Sequence, residues 1–326
     1  MERLLLMSFQ GIVNAFNRIK GVVNRTPVLN SRTLNSMLKA NVYFKCENFQ
    51  RVGAFKFRGA YNALLMLSFD EKERGVVTHS SGNHAQAVAL AASILGIPAT
   101  IVMPNGAPQN KIDATKSYGA EIVFCDDNLE ARTQTTEKLI EENNLTLIHP
   151  YDNDNVINGQ GTAVYELINE VGEFDTILTP LGGGGLLSGT TLAVKELCPT
   201  AQIFGVEPAI ADDARKSIEA GYIIPSTYPN TIADGLRTSL CKKTFDIIRK
   251  LVNQILTVSE EEIIDAMRFL WERMKIVVEP SGVVPLAALL SHKIEVNNKK
   301  VGIILSGGNI DIEPFFQLLE DKVLKK

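Results

Sequence analysis

One lysine, Lys56, stands between two aromatic residues in the stretch Gly53-Ala54-Phe55-Lys56-Phe57-Arg58-Gly59-Ala60. Phe55 and Phe57 can strip water from its amine, and desolvation disfavours the ammonium form and lowers the pKa. A neutral amine is what an imine-forming nucleophile requires. An ordinary surface lysine beside two core phenylalanines gives the same pattern, so the remaining motifs must decide between the two. Three further loops bear on it. His79-Ser80-Ser81-Gly82-Asn83-His84 offers hydroxyls, a glycine and a helix start, which together suit a carboxylate; a serine N-cap is the plainer alternative. Leu181-Gly182-Gly183-Gly184-Gly185-Leu186 carries four consecutive glycines, more than a turn needs. Successive N–H groups at a helix start form an anion nest, the usual solution for phosphate. Neither G-x-G-x-x-G nor Gly-Lys-Ser/Thr can be read from that loop. The third loop, Leu305-Ser306-Gly307-Gly308-Asn309, is by itself only a turn.

These loops need elements to hold them. The spacing predicts a helix over 8–20 and a strand at Asn41–Cys46. Helices are predicted at Arg58–Leu67, His84–Leu95, Lys111–Tyr118 and Leu129–Glu142, with strands at 76–78, 99–103, 122–124 and 145–148 between and after them. Asp152–Asn155 reads as a polar connection. The alternation resumes with a strand at 176–178, a helix over Leu186–Leu197 and a strand at 203–206. Ser259 and Glu262 form a capping box opening a helix to Met274, and 301–305 is a fully apolar strand. The predicted fold class is α/β: two domains, each an open, mostly parallel twisted sheet with helices on both faces. Residues 1–74 and 153–326 are expected to form a large cofactor-binding domain, and 75–152 a small substrate-loop domain. Ligands in such folds lie beyond the carboxyl ends of the strands.

One lysine in a dry setting, one phosphate nest and two hydroxyl-bearing loops suit pyridoxal 5'-phosphate. With these motifs, and with Gly159-Gln160-Gly161-Thr162, the sequence resembles the fold-type II pyridoxal-phosphate enzymes of the serine/threonine dehydratase (ammonia-lyase) and serine racemase group, whose fold is like that of tryptophan synthase β. The resemblance runs over nearly the whole chain. It implies that Lys56 holds the cofactor, that Phe55 lines its ring and that Asn83 contacts its ring hydroxyl. It further implies phosphate binding by Gly182, Gly183, Gly184, Gly185 and Leu186, and a contact from Ser306 to the pyridine nitrogen. Ser80, Ser81, Gly82, Asn83 and His84 would surround the substrate carboxylate. Lys56 and Ser81 are the expected catalytic groups, one for each face of the substrate α-carbon. Ala54 departs from the pattern, since many relatives have serine there. A hydroxyl at Ser306 leaves the pyridine unprotonated and a weaker electron sink, which suits rapid loss of a β-hydroxyl.

Glu207 and Asp213 lie six residues apart with backbone carbonyls between them. Oxygen ligands suit a hard cation, while a strand end followed by an acidic helix start explains the same residues without one. The resemblance to the racemase branch implies a Mg²⁺ or Ca²⁺ site made by Glu207, the Ala211 carbonyl and Asp213.

The expected reaction is removal of the β-hydroxyl from L-threonine or L-serine, giving a 2-oxo acid and ammonia, with racemisation of serine as a possible accompaniment. The alternatives are a serine racemase or a 3-hydroxyaspartate dehydratase and, from another class, a nucleotide-dependent oxidoreductase, disfavoured by the broken glycine spacing and by Lys56. The chain of 326 residues has a net charge of -4, which argues against nucleic-acid or anionic-membrane partners. Leu4–Met7 is too short for a signal sequence, and no apolar run is long enough to span a bilayer. Four scattered cysteines suggest reduced thiols and a cytoplasmic protein. A homodimer is expected, without the C-terminal regulatory domain of biosynthetic threonine dehydratases.

Overall fold

The computed structural model describes residues 8–311 apart from 108 and 228, together with 313, 316 and 317. Among them, ten strands form two sheets: β1 (Val28–Asn30), β2 (Asn41–Cys46), β3 (Val76–His79), β4 (Ala99–Pro104), β5 (Glu121–Cys125), β6 (Thr146–Leu147), β7 (Thr176–Pro180), β8 (Gln202–Pro208), β9 (Gln254–Val258) and β10 (Lys300–Leu305). The larger sheet has the order β1-β2-β10-β7-β8-β9 and the smaller β5-β4-β3-β6. Every pairing is parallel except β1 with β2. The chain is therefore α/β with two parallel-sheet units.

Side-chain alternation explains why the strands are apolar throughout. Along β10, Ile303 enters one core, with Phe44, Leu178 and Val206, while Ile304 enters the opposite core, with Ile177 and Ile203. In β3, Val76 and Val77 likewise enter two different cores. A strand covered on both faces has no polar side to show.

Most predicted elements are present with shifted ends. The first helix is Phe9–Ile19, and Ser8 caps it by accepting from the Gly11 N–H. The Ser259–Glu262 capping box is formed; its helix, Glu260–Phe269, continues as a π-turn over Leu270–Met274. The helix predicted from Arg58 begins earlier, at Lys56, and ends at Leu65. The polar stretch at 152–155 is only half a connection, because Asn153 caps a long helix, Asp154–Val171, which the spacing did not predict. Its two glycines lower helix propensity, and their purpose is tertiary.

That purpose is close helix contact. A Cβ on Gly59 would meet the Gln160 amide at 2.4 Å, and one on Gly159 would meet the Gly59 Cα at 2.6 Å. On the other flank, a Cβ on Gly161 would meet the Gly189 oxygen at 2.8 Å, and one on Gly189 the Ile157 oxygen at 2.4 Å. Helices Lys56–Leu65, Asp154–Val171 and Gly185–Leu197 thus pack backbone against backbone along a glycine seam. The first carries Lys56 and the third the tetraglycine at their N-terminal ends. Under the seam, the guanidinium of Arg58 meets the carboxylates of Glu47 (2.7 Å) and Glu166 (2.8 Å), and Lys45 meets Glu166 at 2.7 Å, all buried. Two cations face two anions, so this buried cluster is neutral.

Candidate active site

One cavity of about 360 Å³ lies beyond the carboxyl ends of the strands. It gathers Phe55, Lys56, Ser80, Ser81, Gly82, Asn83, His84, Gly182, Gly183, Gly184, Gly185, Leu186 and Ser306. These come from four loops that follow β2, β3, β7 and β10.

Lys56 opens its helix, and the preceding Phe55 N–H donates to the Ser306 carbonyl at 2.9 Å, tying the lysine loop to the end of β10. Its Nζ lies 5.1 Å from the Phe55 ring centroid and donates to the Pro150 carbonyl at 3.4 Å. Burial lowers its pKa to about 8, and the carboxylate of Glu279 pulls the other way. The aromatic flank is one-sided. Phe57 turns into the core and stacks on Tyr61 at 5.5 Å, because successive helical residues point in different directions.

Each glycine of the tetraglycine has a spatial reason. A Cβ on Gly183 would lie 2.3 Å from the Tyr151 ring, and one on Gly185 would lie 2.8 Å from the Tyr151 Cβ. A Cβ on Gly182 would lie 3.1 Å from the Leu236 Cα. Gly184 has φ +86°, a left-handed conformation that side chains avoid, and caps the helix Gly185–Leu197. Uncapped N–H groups at that helix start face the cavity wall, the arrangement that receives an anion.

In the loop after β3, the N-cap of helix Asn83–Leu95 is Gly82, and no side chain caps it. The serines are therefore not occupied in capping; Ser80 Oγ accepts from the Gly82 N–H at 3.3 Å. His84 is buried and its Nε2 lies 2.9 Å from the Ile148 carbonyl, which can only accept. Burial drives its pKa well down, so the ring is neutral and Nδ1 is a bare acceptor. What His84 can give a carboxylate is its backbone N–H.

Sequence reasoning missed several residues that share this cavity. Glu279 is buried and accepts from Asn83 Nδ2 at 2.9 and 3.1 Å. Asn309 links to the same pair. Lys111 reaches Asp234 at 2.6 Å, and both line the cavity beside Arg132 and Arg237. Tyr151 backs the tetraglycine; behind it, His149 Nδ1 accepts from the N–H groups of Tyr151 and Asp152. A signal for Glu279 existed: an acid followed by Pro280 is a helix start, and Glu279 is indeed the N-cap of Pro280–Leu290. That helix is buried all round and so shows no apolar period.

Glu207, Ala211 and Asp213 lie outside the cavity, at the end of β8, in the turn Ala209–Ala211 and at the start of helix Asp213–Ala220. Among the described residues, no group of three or more His, Cys, Asp or Glu side chains is arranged to hold a metal. Burial raises Glu207 well above the usual carboxylate range and Asp213 to about 6. Gly159-Gln160-Gly161-Thr162 is also outside the cavity, in the seam, where Thr162 Oγ accepts from Arg58 at 3.2 Å. Among the described residues no helix is long and apolar enough to cross a membrane.

Comparison with known proteins gives a consistent answer. The family described as pyridoxal-phosphate dependent enzyme matches residues 19–307. The L-threo-3-hydroxyaspartate ammonia-lyase of Saccharomyces cerevisiae is 51% identical over 320 residues, 98% of each chain. The serine racemase of Schizosaccharomyces pombe is 49% identical over 319 residues, 98% of this chain and 99% of that one. Among solved structures, maize serine racemase superposes with a TM-score of 0.93 at 43% identity, covering 98% of this chain and 99% of that one.

Proposed function

The chain belongs to the pyridoxal-phosphate dependent enzyme family, and on that footing we propose that it eliminates the β-hydroxyl of a small β-hydroxy amino acid, releasing a 2-oxo acid and ammonia. One observation carries the reading: a lysine held at a pKa of about 8 shares its cavity with a glycine cradle and an uncapped serine loop. The cofactor fits this donor set. Its aldehyde needs a neutral amine, which Lys56 supplies, and its phosphate needs N–H donors that no Cβ obstructs, which Gly182 to Gly185 supply. When bound, pyridoxal phosphate draws electrons from the bonds of the substrate α-carbon.

The rest falls to the chain's own groups. Lys56 would anchor the cofactor, and its amine is the group that would take the α-proton of the substrate. Phe55 would line the ring, Leu186 would continue the phosphate cradle, and the Ser306 hydroxyl would serve the pyridine nitrogen. Ser80, Ser81, Gly82, Asn83 and the His84 backbone N–H hold the carboxylate at the helix start. Ser81 lines the same cavity as Lys56, which supports giving it the second-face proton and racemisation as a companion activity. The wall of Lys111, Arg132 and Arg237, which outnumber the acids Asp234 and Glu279 of the same cavity, favours a substrate with a second carboxylate, as in 3-hydroxyaspartate. Incubation with L-serine, L-threonine and 3-hydroxyaspartate, followed by 2-oxo acid and chiral analysis, tests all three. Release of 2-oxo acid from none of them overturns the reading.

Glu207, the Ala211 carbonyl and Asp213 are proposed to hold Mg²⁺ or Ca²⁺ in a structural role. Asp213 Oδ2 is buried with no hydrogen bond of good geometry, and burial penalises both carboxylates, which a cation would relieve. The two sheets suggest domains of 1–74 with 153–326 and of 75–152. Exposed Phe49 and Val277, drawn together by the Asn48–Val277 hydrogen bond, suit a homodimer contact. Free cysteines suit the cytoplasm.

A further inference from the structure

Four chain segments meet around the side chains of Asn83 and Asn309. From the smaller sheet comes Asn83 itself, the first residue of its helix. From the larger come Glu279, the N-cap of Pro280–Leu290, and Asn309, beyond β10. The fourth is Val52-Gly53, just before Lys56. Asn309 Nδ2 donates to Asn83 Oδ1 at 2.8 Å and to the Val52 carbonyl at 2.6 Å. Its backbone N–H donates to Glu279 Oε2 at 3.2 Å. Room for the Glu279 carboxylate is made by Gly307, where a Cβ would lie 2.6 Å from Oε1.

This network removes the usual ambiguity of an amide. The Val52 carbonyl can only accept, so the end of Asn309 facing it is the nitrogen; that amino group meets the oxygen of Asn83, which turns the Asn83 nitrogen toward Glu279. Both carboxylate oxygens lie on one side of Asn83 Nδ2, at 2.9 and 3.1 Å. They subtend a much narrower angle than the two N–H bonds do, so one N–H serves both. The second N–H is the donor these protein contacts leave on that side chain, which lines the cavity.

We propose that Glu279 is a positioning residue for the reaction: it fixes Asn83 as a hydrogen-bond donor toward the cofactor ring, and its charge offsets the burial of the Lys56 amine. The first half rests on the cofactor reading above; the second concerns the protein alone. Glu279 lines the same cavity as Lys56 and opposes the effect of burial on its amine, and it holds Asn83 of the substrate loop beside Asn309, which bonds to the Val52 carbonyl ahead of Lys56. An amide at 279 would keep the volume, lose the charge and weaken the hold on the Asn83 amino group.

The test is a double-mutant cycle on Glu279→Gln and Asn83→Ala, read as the cofactor dissociation constant from absorbance titration. If Glu279 acts through Asn83, each single variant weakens binding about tenfold or more, and the pair is hardly worse than Asn83→Ala alone. Additive losses overturn the proposal. Glu279→Asp, which keeps the charge, should restore at least part of the loss; equal damage from Asp and Gln also overturns it. In the apoprotein, the pH dependence of Lys56 acylation, followed by mass spectrometry, should move to lower pH in Glu279→Gln. An unchanged midpoint removes the electrostatic half. Borohydride reduction of wild-type holoenzyme with peptide mapping separates the two levels: a label on Lys56 upholds the cofactor reading whatever the cycle gives.

Discussion

At the scale of single residues, the cavity holds groups whose ionisation is set by where they sit. His149 has its pKa lowered to about 4, first by burial, and its Nδ1 already accepts two backbone N–H groups. Between pH 6.5 and 4 the unfolded chain binds a proton there that the folded chain refuses, so stability falls on acidification. Glu279, raised to about 7 by burial, acts oppositely: the folded chain keeps a proton between pH 7 and 4.5 that the unfolded chain releases. His149→Asn should therefore flatten the loss of apoprotein stability between pH 6.5 and 4, measured by urea unfolding at each pH. An unchanged slope assigns that acid sensitivity to other groups. For Ser81, elimination needs one base, whereas racemisation needs an acid/base group on each face. Ser81→Ala should keep measurable elimination from the L-amino acid and lose interconversion of L- and D-serine. Racemisation at the wild-type rate in that variant removes Ser81 from the role.

At the scale of elements, the loop motifs were legible because each combines unusual composition with a position after a strand. Lys56, the Ser80–His84 loop, the tetraglycine and Ser306 declare themselves this way, and they converge in one cavity. Glu279, Asn309 and Tyr151 do not. Each is a lone residue whose importance comes from what the tertiary fold places opposite it, and no local pattern encodes that. The helix Asp154–Val171 escaped for a related reason: its glycines read as breaks, yet they are the contact surface of the seam. The tetraglycine yields a sharper test. Gly184→Val would place a β-branched residue at φ +86° and a Cβ 2.8 Å from Thr244. Left-handed strain alone costs roughly 1–2 kcal/mol, so cofactor affinity should drop about tenfold or more, read by absorbance titration. Unchanged affinity places the phosphate elsewhere.

At the scale of the whole molecule, two sheets share one cavity, and polar contacts at two levels join them: Asn83 with Glu279 and Asn309 within, Lys111 with Asp234 nearer the solvent. The Glu207–Asp213 region stands apart on the larger unit, so its cation would act through stability. Chelator should lower the melting temperature, and Mg²⁺ or Ca²⁺ should restore it with a concentration dependence set by affinity. No change with chelator, together with no metal in elemental analysis, removes the site.

The order of the larger sheet also has a consequence in time. β10, the latest of the ten strands in the sequence, lies between β2 and β7, and β2 is among the first made. A ribosome adding roughly 5–20 residues per second would leave β2 without this neighbour until residue 305 has emerged. Ser306 and Asn309, which tie down the lysine loop, arrive later still. Throughout synthesis Lys56 would be a loosely held, solvated ammonium with no fixed cradle opposite it. Capture of the cofactor would then wait on β10, as a report that the larger sheet is complete.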